Sequence, residues 1–119
     1  MVQSLNFMNN LSFESIDDLV NQGVTMKYSH LQNSWGLWIP QILQIKISPG
    51  HRRRRENRLI LHEWLHAYED LILYPHPDYK VVTASRSPDP VIDKYAIWYQ
   101  KHHSDLIEYI RELFRQEGF

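Results

Sequence analysis

The 119-residue chain contains no cysteine. That excludes disulfides, thiolate zinc sites, iron–sulfur clusters and thiol catalysis, so any metal must be held by His, Asp or Glu. No apolar run approaches the ~20 residues that a membrane span needs. The opening MVQSLNFMNNLSFES has no basic stretch followed by a continuous apolar one, so it does not read as a signal peptide. A soluble, cytoplasmic protein is the expectation. No sign of charge dominates: 13 Lys and Arg stand against 14 Asp and Glu, for a formal charge of −1. A globally basic nucleic-acid binder and an acidic solvating tail are therefore both excluded. There is no internal repeat, and no low-complexity tract beyond one arginine run.

What the chain does have is apolar material and histidine. Hydrophobic residues are 43% and aromatics 13%, enough for a real core. The length suits one domain over residues 1–119. Seven histidines are many for this length and ask for a reason.

Residues 1–10 read as a loose lead-in. Ser12 or Ser15 caps a first helix, on which Phe13, Ile16, Leu19 and Val20 form a stripe that Asn21-Gln22-Gly23 stops. Val24 to Ser29 reads as a strand with Val24, Met26 and Tyr28 on one face, and Leu31 to Gly36 as a turn. In LWIPQILQIKIS, Leu43, Ile45 and Ile47 alternate with polar residues, as in a half-buried strand. Pro40 cannot donate to a ladder and marks an edge, bulge or bend. From about Glu56 to Tyr74 the pattern is helical, with Leu61, Trp64, Leu65, Tyr68, Leu71 and Ile72 on one broad stripe, until Pro75 and Pro77 end it. Residues 75–90 read as a loop with an extended piece at 79–83. Asp89-Pro90 reads as N-cap and first helical residue of a final segment, Val91 to Gln116. Its core candidates are Val91, Tyr95, Trp98, Leu106, Ile110, Leu113 and Phe114. His102-His103-Ser104-Asp105 divides it, with Ser104 as the second cap.

Inside the long helix lies His62-Glu63-Trp64-Leu65-His66. Residues four apart stack on one helix face, so two imidazoles converge on one ion while the helix holds them rigid. Glu63 sits beside them, within reach of a metal-bound water whose pKa zinc lowers to about 7. The neighbouring apolar stripe puts both imidazoles at the rim of the core, where an unpaired polar group is costly. A di-iron reading built on Glu63-x-x-His66 needs a second Glu-x-x-His, and none exists.

These residues resemble the zincin metallopeptidases. LILHEWLHAYEDL looks like the active-site helix of that clan. DPVIDKYAIWYQKHHSDLIEYIRELF looks like the closing helices of small gluzincins, the minigluzincin and ImmA/IrrE-type proteins. The likeness implies His62 and His66 as zinc ligands and Glu63 as general base. It implies a third, acidic ligand on the following helix, where Asp93 stands in place of the family's Glu. A first-turn acid favoured by the helix dipole is the plain alternative for Asp93. The SprT-like proteases are the second resemblance; YPHPDYK then makes His76 the third ligand. Glu108, His102 and His103 are weaker candidates, and Glu69 reads as an acid behind His66 or at the surface. The metzincin pattern is excluded, because Glu69 and Ile72 stand where it needs Gly and His. Tyr79, Tyr95, His102 and His103 are candidate oxyanion donors.

Arg52, Arg53, Arg54 and Arg55 form the basic run. It reads first as a solvated loop, and otherwise as a patch steering an acidic partner or nucleic acid toward the site. Trp35 and Trp38 read as core, or as part of an exposed strand edge.

The expectation is an α+β domain: a first helix, a small, mostly antiparallel sheet over 24–48, the HExxH helix over 56–74, and closing helices. An edge strand around Gly36–Ile42 would receive an extended peptide by strand addition. The implied function is a small zinc peptidase using Zn2+ and a water activated by Glu63. The alternative is a non-catalytic binding or regulatory module on the same scaffold, with a structural or vestigial metal.

Overall fold

The computed structural model describes residues 7–79 and 86–119. Residues 1–6 of the expected lead-in, and 80–83 of the expected extended piece, lie outside these. Phe7–Asn10 forms one tight helical turn that buries Met8.

Helix α1 spans Phe13–Asn21. Ser12 caps it by accepting the Ser15 N–H at 3.2 Å, and Ile16 and Leu19 are buried. Its end is set by Gly23 at φ +109°, a region an L side chain rarely enters. There the Gly23 N–H reaches the Val20 carbonyl at 3.0 Å and the Val24 N–H reaches Leu19 at 3.1 Å. This paired closure satisfies two orphan carbonyls and turns the chain into the sheet.

Three strands follow: β1 (Thr25–Tyr28), β2 (Gly36–Ile39) and β3 (Gln44–Ile47). Their order is β1-β3-β2. β2 and β3 are antiparallel, with Gly36 opposite Ile47, but β1 and β3 are parallel, with Thr25 opposite Gln44. The sheet is therefore mixed, which corrects the expected, mostly antiparallel one. The tight turn Pro40–Ile42, closed by Leu43 at φ +52°, folds β3 back on β2. The loop over 29–35 carries β2 to the far side of β3's place, so β1 and β3 run the same way. Met26, Ile45 and Ile47 alternate inward and are buried.

Helix α2 spans Arg53–Tyr68 and runs on through a wide π-type turn, Glu69–Leu73. It begins before the expected Glu56, so Arg53, Arg54 and Arg55 form its first turn and not a loop. It is the central element, with Ile60, Leu61, Trp64, Leu65 and Ala67 fully buried between the sheet and the helices that follow. Ile60, Leu61 and Leu65 each contribute roughly 1.5–3 kcal/mol of transfer free energy.

Helices α3 (Asp89–His102) and α4 (Ser104–Leu113) close the domain. The break falls at His103, as the sequence suggests, but Ser104 is the first helical residue and no side chain caps it. Asp89 is likewise already helical, with Pro88 in the cap position. The buried stripe of α3 is Ile92, Ala96 and Tyr99, one residue away from the expected Val91, Tyr95 and Trp98. Val91, Trp98 and Leu113 are exposed, and Tyr95 and Phe114 half-buried. Small Ala96 lets α3 lie close on α2. Tyr99 anchors the other end: its hydroxyl donates to the Met8 carbonyl at 2.5 Å and accepts the Leu11 N–H at 2.9 Å.

Arg111 of α4 and Glu56 of α2 are both buried, and Nη2 lies 2.6 Å from Oε1 at an angle outside hydrogen-bond geometry. Tyr28 also donates to Glu56 (2.8 Å), and Arg111 Nε donates to Asn57 (2.8 Å). The pair thus ties α4, α2 and β1 together. Among the described residues, no helix is long and apolar enough to cross a membrane.

Candidate metal centre

Helix α2 turns one side toward an open cleft of about 790 Å³ between β2 and the start of α3. His62, Glu63 and His66 face it from α2, and Asp89 and Asp93 from α3. The His pair and the Asp pair share a spacing of four residues, so one turn of α3 faces one turn of α2.

Three donor atoms converge there. His62 Nε2 and His66 Nε2 are 3.1 Å apart, Asp89 Oδ1 is 2.9 Å from His66 Nε2, and it is 3.3 Å from His62 Nε2. A tetrahedral ion with bonds of about 2.0–2.1 Å would have ligand–ligand edges of roughly 3.3 Å. The trio fits that spacing. Among the described residues it is the one group of three or more His, Asp or Glu side chains placed to hold a metal. The donor set, two imidazoles and a carboxylate, suits zinc, and a non-haem iron site uses the same types.

Asp93 lies elsewhere than in this trio. Its Oδ1 is 3.3 Å from His62 Nδ1, on the far side of the imidazole, and Arg58 holds the same carboxylate. A ligating His commonly donates its other N–H to a carboxylate, which fixes tautomer and ring direction. Asp93 is placed for that role and Asp89 for the ligand. The Arg58 hydrogen bond, against a weaker effect of burial, holds the Asp93 carboxyl below its ordinary value. Burial pulls the Asp89 carboxyl upward, but the hydrogen bonds from His66 and His62 outweigh it and the group ends below its ordinary value. Burial, then the neighbouring His62, lowers His66, which favours the neutral ring that ligates metal.

Glu63 is 6% exposed and has no hydrogen-bond partner among the described residues. Burial, with the Asp89 charge second, pushes its carboxyl up to about 8. Gly36 makes room for it: a Cβ at Gly36 would sit 2.9 Å from Glu63 Oε2. Trp38, two residues on, donates to Asp70 at 2.7 Å and pins β2 to the end of α2. If the centre holds zinc and turns over a substrate, as proposed below, Gly36→Ala is expected to push the carboxylate aside and lower turnover roughly ten- to hundredfold, with zinc content unchanged. Steady-state kinetics beside elemental analysis checks both halves.

β2 also offers main-chain groups. Ser48 N–H donates to Trp35 O at 2.8 Å, so Trp35, Leu37 and Ile39 address β3. Gly36 and Trp38 then turn their N–H and C=O toward the free edge that borders the cleft.

The remaining candidates lie outside the trio. His76 is exposed beyond the π-type turn and packs on Phe7 at 5.1 Å. Glu108 pairs with Arg53 on the surface. His102 and His103 pack on Trp98. None of Tyr79, Tyr95, His102 and His103 lines the cleft. Glu69, expected behind His66 or at the surface, is fully buried. It accepts from Tyr79 at 2.6 Å and from the Ser87 N–H and hydroxyl at 3.0 and 2.5 Å. It thereby holds the chain two residues before Asp89. Asp89, which the sequence marks only as a helix start, is the carboxylate that completes the trio; its four-residue spacing from Asp93, matching that of the two histidines, is the signal that could have pointed to it.

In comparisons with known proteins, no family model, curated protein or solved structure matches this chain.

Proposed function

We propose that the chain is a small zinc-dependent peptidase, similar to gluzincins in using a HExxH helix with an acidic ligand from the next helix. The observation that carries this reading is the convergence of His62 Nε2, His66 Nε2 and Asp89 Oδ1 beside a buried Glu63, in a cleft bordered by a free strand edge. Three protein donors with no fourth among the described residues suit a site that keeps a position open for chemistry.

When bound, zinc supplies Lewis acidity to water and to a substrate carbonyl. The chain's own residues do the rest. His62 and His66 hold the ion from a rigid helix, and Asp89 closes the third side. Asp93, itself held by Arg58, keeps the His62 ring turned so that Nε2 is the free nitrogen. Gly36 and Trp38 align an extended peptide by adding it to the edge of β2. Glu63 takes a proton from the attacking water and delivers it to the leaving amine.

Elemental analysis of purified protein tests the centre. Wild type is expected to carry about one zinc per chain, as a three-ligand site holds, and His62→Ala and Asp89→Ala to carry almost none. Asp93→Asn should keep the site but lower zinc affinity about 10–100-fold. A loss of zinc in Asp93→Asn with retention in Asp89→Ala would reverse the two roles. Iron in place of zinc would remove the peptidase reading. Stoichiometric zinc with no hydrolysis of any peptide would leave the binding or regulatory module in its place.

A further inference from the structure

A second cavity adjoins the cleft on the Trp35 side. Arg55 and Arg58 line the cleft and also line this groove of about 670 Å³, which runs between the start of α2 and the outer face of α3. His51, Arg52, Arg54 and Gln100 complete most of its wall, and among the described residues no carboxylate does. The two cavities are thus neighbours, with Arg55 and Arg58 common to both linings.

Among the described residues, three of the four arginines that line this groove are not paired inside the protein. Arg58 is held by Asp93, and Arg53, which points away from the groove, by Glu108. Among the described residues no carboxylate pairs with Arg52, Arg54 or Arg55. Arg55 instead lies over the Trp35 ring, 4.6 Å from its centroid. Arg54 and Arg58 stand four apart on the helix, and Arg55 and Arg58 three apart, spacings at which like charges repel. A chain of net charge −1 thus concentrates unpaired cations beside its candidate site, at a cost to the helix that bears them.

We propose that this groove binds an acidic stretch of the polypeptide whose neighbouring residues lie along β2. The inference rests on the peptidase reading for what happens at the cleft, but not for binding at the groove. The free groups of Gly36 and Trp38 suit a peptide main chain. An extended strand rises about 3.3 Å per residue, so acidic side chains a few positions from the reacting bond reach Arg55 and then Arg54 and Arg52. Guanidinium forks match carboxylates in two-point geometry. Nucleic acid fits less well. Among the described residues no Phe, Tyr or Trp lines the groove itself, and Arg55 already lies over the half-exposed Trp35 ring at its mouth.

The test is direct binding, read by fluorescence anisotropy, with the full-length Glu63→Gln chain so that a bound peptide stays intact. The probes are a labelled extended peptide carrying three consecutive Glu, the same peptide with Gln, and a single-stranded oligonucleotide of matched charge. The Glu peptide is expected to bind about tenfold or more tighter than the Gln peptide, with the difference shrinking as salt rises. Arg54→Gln with Arg55→Gln should remove the difference, while Arg115→Gln, at the opposite end of the chain, should leave it. Melting curves of the variants confirm that they are folded. Equal binding of the Glu and Gln peptides, or a difference that survives the double substitution, overturns the proposal. Tighter binding of the oligonucleotide, lost in the same double substitution, replaces it with a nucleic-acid groove. Zinc content is measured on the same preparations, so failure of the metal centre shows separately from failure of the groove.

Discussion

Glu63→Gln is expected to keep its zinc and lose roughly 10²–10⁴ of the rate of peptide hydrolysis, the size of a positioned general base. The amide has nearly the carboxylate's shape, so the space left by Gly36 still accepts it and the ligands stay in place. Its second effect runs the other way. In the zinc-free protein the Glu63 carboxyl titrates near 8, against an ordinary value of 4.5. Between those values the folded chain holds a proton that the unfolded chain has released, so wild-type stability falls as pH rises. It falls until the folded group ionises, near pH 8. Gln carries no charge and escapes this loss. Zinc-free Glu63→Gln should therefore melt above zinc-free wild type, by a margin growing from pH 5 to pH 9 and reaching a few kcal/mol. Thermal melts in chelator at three pH values check it. A margin that does not change with pH would mean that Glu63 is solvated, and would remove the case for a desolvated base.

Arg111→Met is expected to destabilise the fold by about 3–5 kcal/mol, because it leaves Glu56 charged, buried and without its cation. Tyr28 donates to Glu56 but does not neutralise it. Adding Glu56→Gln to Arg111→Met should recover most of the loss, since the remaining groups are neutral and similar in size. Denaturant titrations of the two single variants and the double complete the cycle. If the double variant is no more stable than Arg111→Met alone, the pair is not what holds α4 to α2 and β1. Neither residue lines the cleft, so zinc content should stay unchanged in any folded variant.

The parts of this protein legible in its sequence are those written by local periodicity. The spacing of His62 and His66 put both rings on one face of α2 before any coordinates, and the Ser12 cap and Pro75 stop bounded their helices. The third donor was not local. Asp89 and Asp93 sit on the same side of α3, one turn apart, and either can meet the histidines, depending on how far α3 slides along α2. That position is set at a distance: Glu69 grips Ser87 from inside the fold, and Ala96 sets how closely the helices approach. The shift from Val91, Tyr95 and Trp98 to Ile92, Ala96 and Tyr99 has the same origin, because both stripes are apolar and only docking chooses between them. The parallel pairing of β1 and β3 was hidden too, since a strand's own alternation carries no information about the direction of its neighbour.

The two outer strands of the sheet are not equivalent. The turn Arg115–Glu117 and the Phe119 ring, stacked on Tyr28 at 4.1 Å, lie against β1, whereas among the described residues no strand pairs with the outer edge of β2. Two molecules joining sheets edge to edge would have to meet through β2. Such a dimer would cover the edge that borders the cleft; on the proposed peptidase reading, crowding the protein with itself would then act as competitive inhibition, and peptide would dissolve the dimer.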